Sequence, residues 1–457
     1  MSQSGKSNQS NAKVGITEKI GFGLGDLATN LAWASMSMFI VYFYTDVIGV
    51  AAGIIGTIIL CSRFLDGISD IAMGGIVDKT KSKHGKARPW VLWLSIPFAG
   101  LMVALFAVPD VGTMGKVIYI AITYNLLILL YTAVVIPYGT LNTLITSDQD
   151  ERGVLNVYRM FFASIGVIVV STLTLPVVNL FGGGQSAWIA GYSVFAVVAV
   201  IMYIITFKTT KERASSIYQD NKEENNDSFI VGFKALFKNK YWVITFFIFI
   251  AYYVNDALYS GGTVYFAQYI LGDPLLVGTL TMSIYIPPLL LMPFVAPMIK
   301  KIGKRKSMMW GTGIFLLGSL VILMDPTNLT VVMIGVILRG IGRTPIFGSI
   351  FALLPDTVEY GEWKTGVRRE GLVYSGGSMG TKVGVGIGSA FVGWILGWGG
   401  YIGGQEMQAD SALFAINSLF IYLPIITYVI LFVLLYFYKL DKEYPKIFKE
   451  LQMRKTI

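Results

Sequence analysis

Long apolar stretches separated by short polar ones run the whole length of the chain. Taken in order they fall at about 20–46, 51–77, 89–109, 115–142, 153–180, 187–207, 241–270, 276–299, 307–324, 328–354, 371–397 and 412–438. As α-helices, runs of 18 or more residues reach across the roughly 30 Å hydrocarbon core of a bilayer. The pattern predicts an all-α membrane protein with twelve transmembrane helices.

The polar breaks alternate in charge. Lys79, Lys81, Lys83, Lys86 and Arg88 follow the second run, and Lys300, Lys301, Lys304, Arg305 and Lys306 follow the eighth. The middle break holds Lys208, Lys211, Arg213, Lys222, Lys234, Lys238 and Lys240, and the residues after Tyr438 are Lys-rich. The opposite breaks (110–115, 181–186, 271–275, 325–327, 398–411) carry acids as a group and no Lys or Arg, Lys116 being the nearest exception. Basic loops stay in the cytoplasm. This places both termini inside, with residues 1–19 a polar cytoplasmic tail without the apolar core of a signal peptide.

The longest polar break, 208–240, is predicted as a cytoplasmic middle loop between two six-helix bundles, 20–207 and 241–438, with 439–457 a cytoplasmic tail. A faint repeat agrees. Lys83-His84-Gly85-Lys86 and Lys301-Ile302-Gly303-Lys304 each follow the second helix of a half, and Tyr42-Phe43 and Tyr265-Phe266 each end its first helix. Their similar offsets, near half the chain length, point to the parallel repeats of major-facilitator carriers.

Composition narrows the function. Of 457 residues 54% are hydrophobic and 14% charged, against about 25% charged in a soluble protein. The net charge of +9 needs no nucleic acid to explain it, because the Lys and Arg lie in membrane loops. One cysteine, Cys61, excludes an internal disulfide and a CxxC site. One histidine, His84, leaves almost no imidazole for metal or acid–base work. Gly376-Gly377-Ser378-Met379-Gly380 fits G-x-S-x-G, but it lies inside a predicted membrane helix, far from that histidine. There is no P-loop. The chain is not predicted to be an enzyme, and no cofactor is implied beyond a coupling ion.

Charges within the apolar runs are few: Asp26, Arg63, Asp66, Asp70, Arg159, Asp256, Arg339, Arg343 and Lys382. Each costs about 2.5–3.5 kcal/mol at a bilayer centre on insertion scales, so each must face water, protein or an opposite charge. Arg63, Asp66 and Asp70 share one face of a helix. Two acids one turn apart repel when both are ionised. They can share a proton, or together supply hard oxygen ligands to Na⁺, with Ser69 and Thr132 adding hydroxyls. The membrane potential, about 2.3 kcal/mol per charge per 100 mV, would drive uphill movement. The competing reading is that these groups are structural ion pairs; for Arg343 that partner is Asp256, and otherwise an Arg fork suits a carboxylate. Gly376, Gly380, Gly384 and Gly388 form a small-residue packing face. Lys382, about 200° round from Gly380, points away from it.

Several motifs resemble the glycoside–pentoside–hexuronide:cation symporters: YFYTDVIGV (42–50), R-x-x-D-x-x-x-D-x-x-M-G (63–74), K-x-G-K-x-R-P-W (83–90), IPYGTL (136–141) and PDTVEYGEWKTGVRREGLVYS (355–375). The resemblance spans about 20 to 440. It is nearer to the xyloside and glucuronide carriers than to the melibiose permease. It implies a cation site at Asp66, Asp70 and Thr132, with Ser69 where the asparagine tied to Na⁺ selectivity stands, which leaves Na⁺ and H⁺ both open. It implies sugar contacts at Asp26, Arg159 and Lys382, and a helix-10 aromatic at Phe347. The helix-4 acid and aromatic that hold galactoside in the melibiose permease fall on Val135 and Gly139, which argues against a galactoside bound that way. The TVEYGE stretch is expected to be a gating loop.

The expectation is therefore a monomeric, multi-pass plasma-membrane symporter. It would import a glycoside with a cation by rocking two bundles about a central site. Tyr138, Tyr259 and Phe347 are candidate aromatic walls, and Arg343 is a candidate substrate contact. A xyloside or xylo-oligosaccharide is the first substrate expected and a glucuronide or hexuronate the second, favoured if Arg343 is unpaired. A membrane sensor is the alternative of another class; no partner motif is recognisable in the middle loop.

Overall fold

The computed structural model describes residues 14–213, 236–366 and 370–455. The first part of the N-terminal tail, most of the middle loop with Lys222 and Lys234, and Val367–Arg369 of the 355–375 motif lie outside the described residues.

The described residues form helices at all the predicted positions. In the first half these are α1 (Ile16–Met38), α2 (Ala52–Lys79), α3 (Arg88–Ala104), α4 (Thr113–Ile145), α5 (Gln149–Leu180) and α6 (Gly184–Thr209). In the second they are α7 (Lys240–Tyr269), α8 (Leu276–Ile302), α9 (Lys304–Met324), α10 (Leu329–Thr365), α11 (Glu370–Trp398) and α12 (Asp410–Asn417 and Leu423–Phe437, joined by a π-helical turn at Ser418–Tyr422). Ten of the described helices are long and apolar enough to cross a membrane. α1 makes an eleventh with its continuation Ile40–Val47, across a 50° bend. α3 is apolar but has 17 residues, about 25 Å at 1.5 Å per residue.

Two compact units result, one holding α1–α6 with the stretch Ile402–Glu406, the other α7–α12. In the first, α1 packs on α5 and α6, α3 on α6 and α4, and α2 on α4. In the second, α7 packs on α11 and α12, α9 on α12 and α10, and α8 on α10. The pairings are the same, six helices on, so the faint sequence repeat is a repeat of architecture.

Small residues let these helices close. A Cβ on Gly380, Gly384 or Gly388 would stand 2.6–3.0 Å from atoms of Phe249, Ile250 or Val254. The predicted glycine face of α11 therefore seats on α7, backbone nearly against backbone.

Two segments expected to be loop are helical. α10 does not end near 354 but runs on through a 3₁₀ turn at Ile350–Ala352, so TVEYGE is helix until Gly366 stops it with φ 75°. Leu353, Leu354 and Val358 are buried in the second unit's core, and Lys304 grips the Asp356 carboxylate at 2.8 Å to both oxygens. Buried apolar positions and a matched acid sustain the helix where an interrupted apolar run predicted its end. The C-terminal tail forms a further helix, α13 (Leu440–Lys455), which buries Leu440, Ile447 and Leu451.

The helix ends are tied by the same device in both units. Glu212, just after α6, accepts bonds from the Lys86, Ala87 and Arg88 amides at 2.8–2.9 Å, capping α3. Arg88 in turn donates to Phe207 O near the end of α6. Asp441, just after α12, accepts from the Arg305 amide at 2.9 Å, capping α9, and Arg305 donates to Leu435 O and Tyr436 O. A carboxylate on a helix N-terminus and a guanidinium on a helix C-terminus both satisfy orphan backbone groups and match the helix dipole.

Candidate functional site

Three turns into α2, the helix turns its charges onto α4. Thr132 Oγ1 lies 3.1 Å from Asp66 Oδ1 and 3.2 Å from Asp70 Oδ1. Ser69 Oγ lies 3.3 Å from Thr132 Oγ1 and 2.9 Å from the Asp66 carbonyl oxygen. Arg63 Nη1 stands 3.4 Å from Asp66 Oδ2, and its guanidinium lies over the Trp33 ring at 5.0 Å. Asp66 and Thr132 are buried, Ser69 and Asp70 half-buried. The four residues expected to hold a cation are thus one cluster. A threonine hydroxyl has a single proton to share between two carboxylates. With Arg63 charged, the ionised cluster carries one net negative charge. A proton or a Na⁺ between the oxygens neutralises it, and carboxylate with hydroxyl is a hard-oxygen donor set.

A second constellation joins α1, α4 and α5. Arg159 Nε donates to Asp26 Oδ2 at 3.1 Å, and the guanidinium sits over the Tyr138 ring at 5.2 Å. Tyr138 is fully buried, stacked on Phe22, with its hydroxyl donating to Phe22 O. A Cβ on Gly25 would stand 2.5 Å from the Tyr138 ring, so α1 comes close enough for Asp26 to reach Arg159. Tyr138 in this structure is a floor under Arg159 rather than a wall. Arg159 keeps 28% of its side chain exposed. A charge that deep in a spanning helix and still accessible meets water or solute, not hydrocarbon.

The second unit has its own pair. Arg343 Nη2 donates to Asp256 Oδ1 at 2.7 Å and lies over the Tyr285 ring at 4.9 Å, with Tyr252 Oη 3.3 Å from Nε. The ion-pair reading of Arg343 is the one this geometry supports. Asp256, near the middle of α7, is 27% exposed. Arg339, one turn before, is wholly buried. It donates to Ser319 Oγ at 2.9 Å and to Phe420 O in the π-helical turn of α12 at 2.8 Å. Tyr259 is buried with its hydroxyl on Leu280 O at 2.9 Å and presents no face to a solute here. Phe347 is half-buried against the core, and Lys382 is half-buried on α11, away from the glycine face.

Three features went unread in the sequence. Trp33 packs on Tyr131 at 5.1 Å, beside Arg63. Tyr131 precedes Thr132 on α4, so this aromatic pair borders the Asp66–Thr132–Asp70 cluster. The signal was available, since Trp33 is two turns from Asp26 on one face and Tyr131 adjoins Thr132. Tyr252 and Tyr285 around Arg343 had no such signal, because a spacing of that kind is lost among so many tyrosines.

Residues 21–442 match the family model described as MFS/sugar transport protein. The isoprimeverose transporter of Lactiplantibacillus pentosus is 35% identical over 449 residues, covering 96% of this chain and 91% of that protein. The putative glycoside/cation symporter YagG of Escherichia coli is 32% identical, covering 93% and 92%. The glucuronide carrier protein homolog of Escherichia coli is 30% identical, covering 96% of each. Among solved structures, one of the proton dependent oligopeptide transporters superposes with TM-score 0.65 at 16% identity, covering 94% of this chain and 99% of that one. The nucleoside transporter NupG gives 0.62 at 15%, covering 92% and 99%. At such identities the solved structures speak to the fold alone.

Proposed function

We infer a substrate and a driving ion from one premise: the chain belongs to the MFS/sugar transport protein family, among its glycoside–pentoside–hexuronide:cation symporters. It is a multi-span membrane transporter of sugars or glycosides, with the major-facilitator fold, and not an enzyme. The protein imports a xyloside across the plasma membrane with Na⁺ or H⁺ by alternating access, both termini lying in the cytoplasm.

The observation that carries the coupling is the Asp66–Thr132–Asp70 cluster. Its carboxylates share one hydroxyl across two helices and gain most from a cation between them. Ser69 supplies a further oxygen, and Arg63 holds Asp66 in place. Asp26 and Arg159 bind sugar hydroxyls, Asp as acceptor and Arg as donor, with Tyr138 beneath the guanidinium; Tyr259, held on Leu280 O, takes no direct part. Lys382, Phe347 and Arg343 serve the same solute. Trp33 and Tyr131, bordering the ion cluster, transmit its occupancy to the sugar pair.

The pairing of Arg343 bears on the choice of substrate. Arg159 and Arg343 are each matched by an aspartate, so neither offers an uncompensated charge to a hexuronate. That favours a neutral glycoside, and the relative named for isoprimeverose supports the xyloside.

The test is uptake of labelled isoprimeverose into vesicles under an imposed Na⁺ or H⁺ gradient. Accumulation driven by one gradient is the expected result. Accumulation indifferent to both removes the symport mechanism, and accumulation of glucuronides alone removes the xyloside.

A further inference from the structure

Outside the transport site, one face of α9 is built as a trough. Lys306, Trp310, Gly313 and Leu317 follow one helical stripe. With Phe432 of α12 they bound a groove of about 540 Å³ whose lining is apolar apart from the lysine. Trp310 is 66% exposed and Leu317 55%, so the trough opens outward, onto the surface that a membrane would cover. A Cβ added at Gly313 meets nothing within 4 Å. The glycine is not there for packing between helices, and it leaves the trough clear midway along.

Length and charge identify the occupant. From Lys306 to Leu317 the helix rises about 16 Å, close to the ~15 Å half-thickness of a hydrocarbon core. The trough therefore runs one leaflet deep from the end of α9. Its outer end is basic, and of that basic run only Lys306 points into it. Lys304 is taken up by Asp356 and Ala352 O, and Arg305 by the end of α12. Among the described residues Lys306 has no hydrogen bond or ion pair. Trp310, one turn deeper, is the residue type that settles at headgroup level.

We propose that this groove is a binding site for an anionic glycerophospholipid, with the phosphate on Lys306 and one acyl chain laid along Gly313 and Leu317 against Phe432. The site is independent of the ion cluster and of the identity of the sugar.

Native mass spectrometry of the purified full-length protein, titrated with dioleoyl phosphatidylglycerol or dioleoyl phosphatidylcholine, tests it. The anionic lipid should be retained at about fivefold lower concentration, the preference expected of one lysine near a phosphate. Lys306→Gln should erase that preference and leave phosphatidylcholine retention unchanged. Gly313→Leu, whose Cβ meets nothing within 4 Å and whose side chain would occupy the trough, should lower retention of both lipids, and Phe432→Ala should do the same should the leucine variant fold poorly. An unchanged preference in Lys306→Gln overturns the proposal. Unchanged retention in both trough variants also overturns it. Displacement of the lipid by inorganic phosphate at equal concentration would mean a free-anion site and would equally overturn it.

Discussion

The second and eighth helices hold corresponding places, α2 against α4 and α8 against α10, yet they are chemically opposite. α2 carries Arg63, Asp66 and Asp70 on one face. α8 has no Asp, Glu or Arg along its length, bears Lys only in its last turn, and contains Pro287, Pro288, Pro293 and Pro297. The scaffold around them is duplicated, down to the acid that caps the third helix of each unit from just beyond the sixth. Each unit also offers an Asp from its first helix to an Arg, though α5 supplies Arg159 and α10 supplies Arg343. What the units share is therefore support and one Asp–Arg pair each. What they do not share is the pair of carboxylates on one hydroxyl, Asp66 and Asp70 on Thr132, which is costly to bury unless a cation neutralises it. Both units meet the cost of intramembrane charge, but only in the first does it fall on two acids one turn apart, and the proposed ion coupling rests on that pair.

The most severe way to break that assignment is Asp66→Asn. It leaves Arg63 without its acid and removes one of the two carboxylates. Uphill uptake should fall by about 100-fold or more, as expected when one partner of a buried charge set is lost, while some exchange at equal ion concentrations survives. Full accumulation by this variant would put the coupling ion elsewhere.

Asp256→Asn probes the other unit. It should leave ion dependence alone and change selectivity, because Arg343 then faces solute uncompensated. Competition by a glucuronide against xyloside uptake should improve about tenfold, since a carboxylate would take the place of the lost aspartate. If the variant instead shifts the ion requirement, the two units do not divide the work as argued. Thr132→Val acts more mildly within the ion cluster. Loss of one hydroxyl to charged partners should raise the ion concentration for half-maximal uptake about tenfold, with binding of the sugar alone unaltered.

Much of this was legible in sequence because the information was local. The shared face of Arg63, Asp66 and Asp70 follows from three- and four-residue spacing, and the glycine face of α11 from a four-residue period. What was not legible depended on partners far along the chain. Asp356 and the acids after it read as the end of a helix, because nothing local shows that Lys304 will match the first of them. Tyr138 and Tyr259 read as aromatic walls of a solute site, because nothing local shows that backbone carbonyls of Phe22 and Leu280 will take their hydroxyls. The acid clasp was half visible. The repeated Lys-x-Gly-Lys marks both loops, but Glu212 and Asp441 lie over a hundred residues further on.

That clasp gives the smallest and most discriminating test of the comparison. Gly85 and Gly303 both hold positive φ, 103° and 85°, which costs a residue with a Cβ roughly 1–2 kcal/mol. At Gly85 the added Cβ would stand 2.4–2.5 Å from the Glu212 carboxyl group, whereas at Gly303 it would stand 3.2 Å from Asp441 Oδ2. Gly85→Ala must therefore displace a carboxylate that satisfies three amides, and Gly303→Ala need only nudge one. The first should lower the thermal unfolding midpoint of the purified protein by a few degrees more than the second, about the worth of a lost helix cap. In a Glu212→Ala background the steric part vanishes, and Gly85→Ala should cost no more than Gly303→Ala does in an Asp441→Ala background. Equal costs for the two alanines in the unmodified protein, or an excess at Gly85 that persists without Glu212, would show that the two clasps are held by something other than their acids.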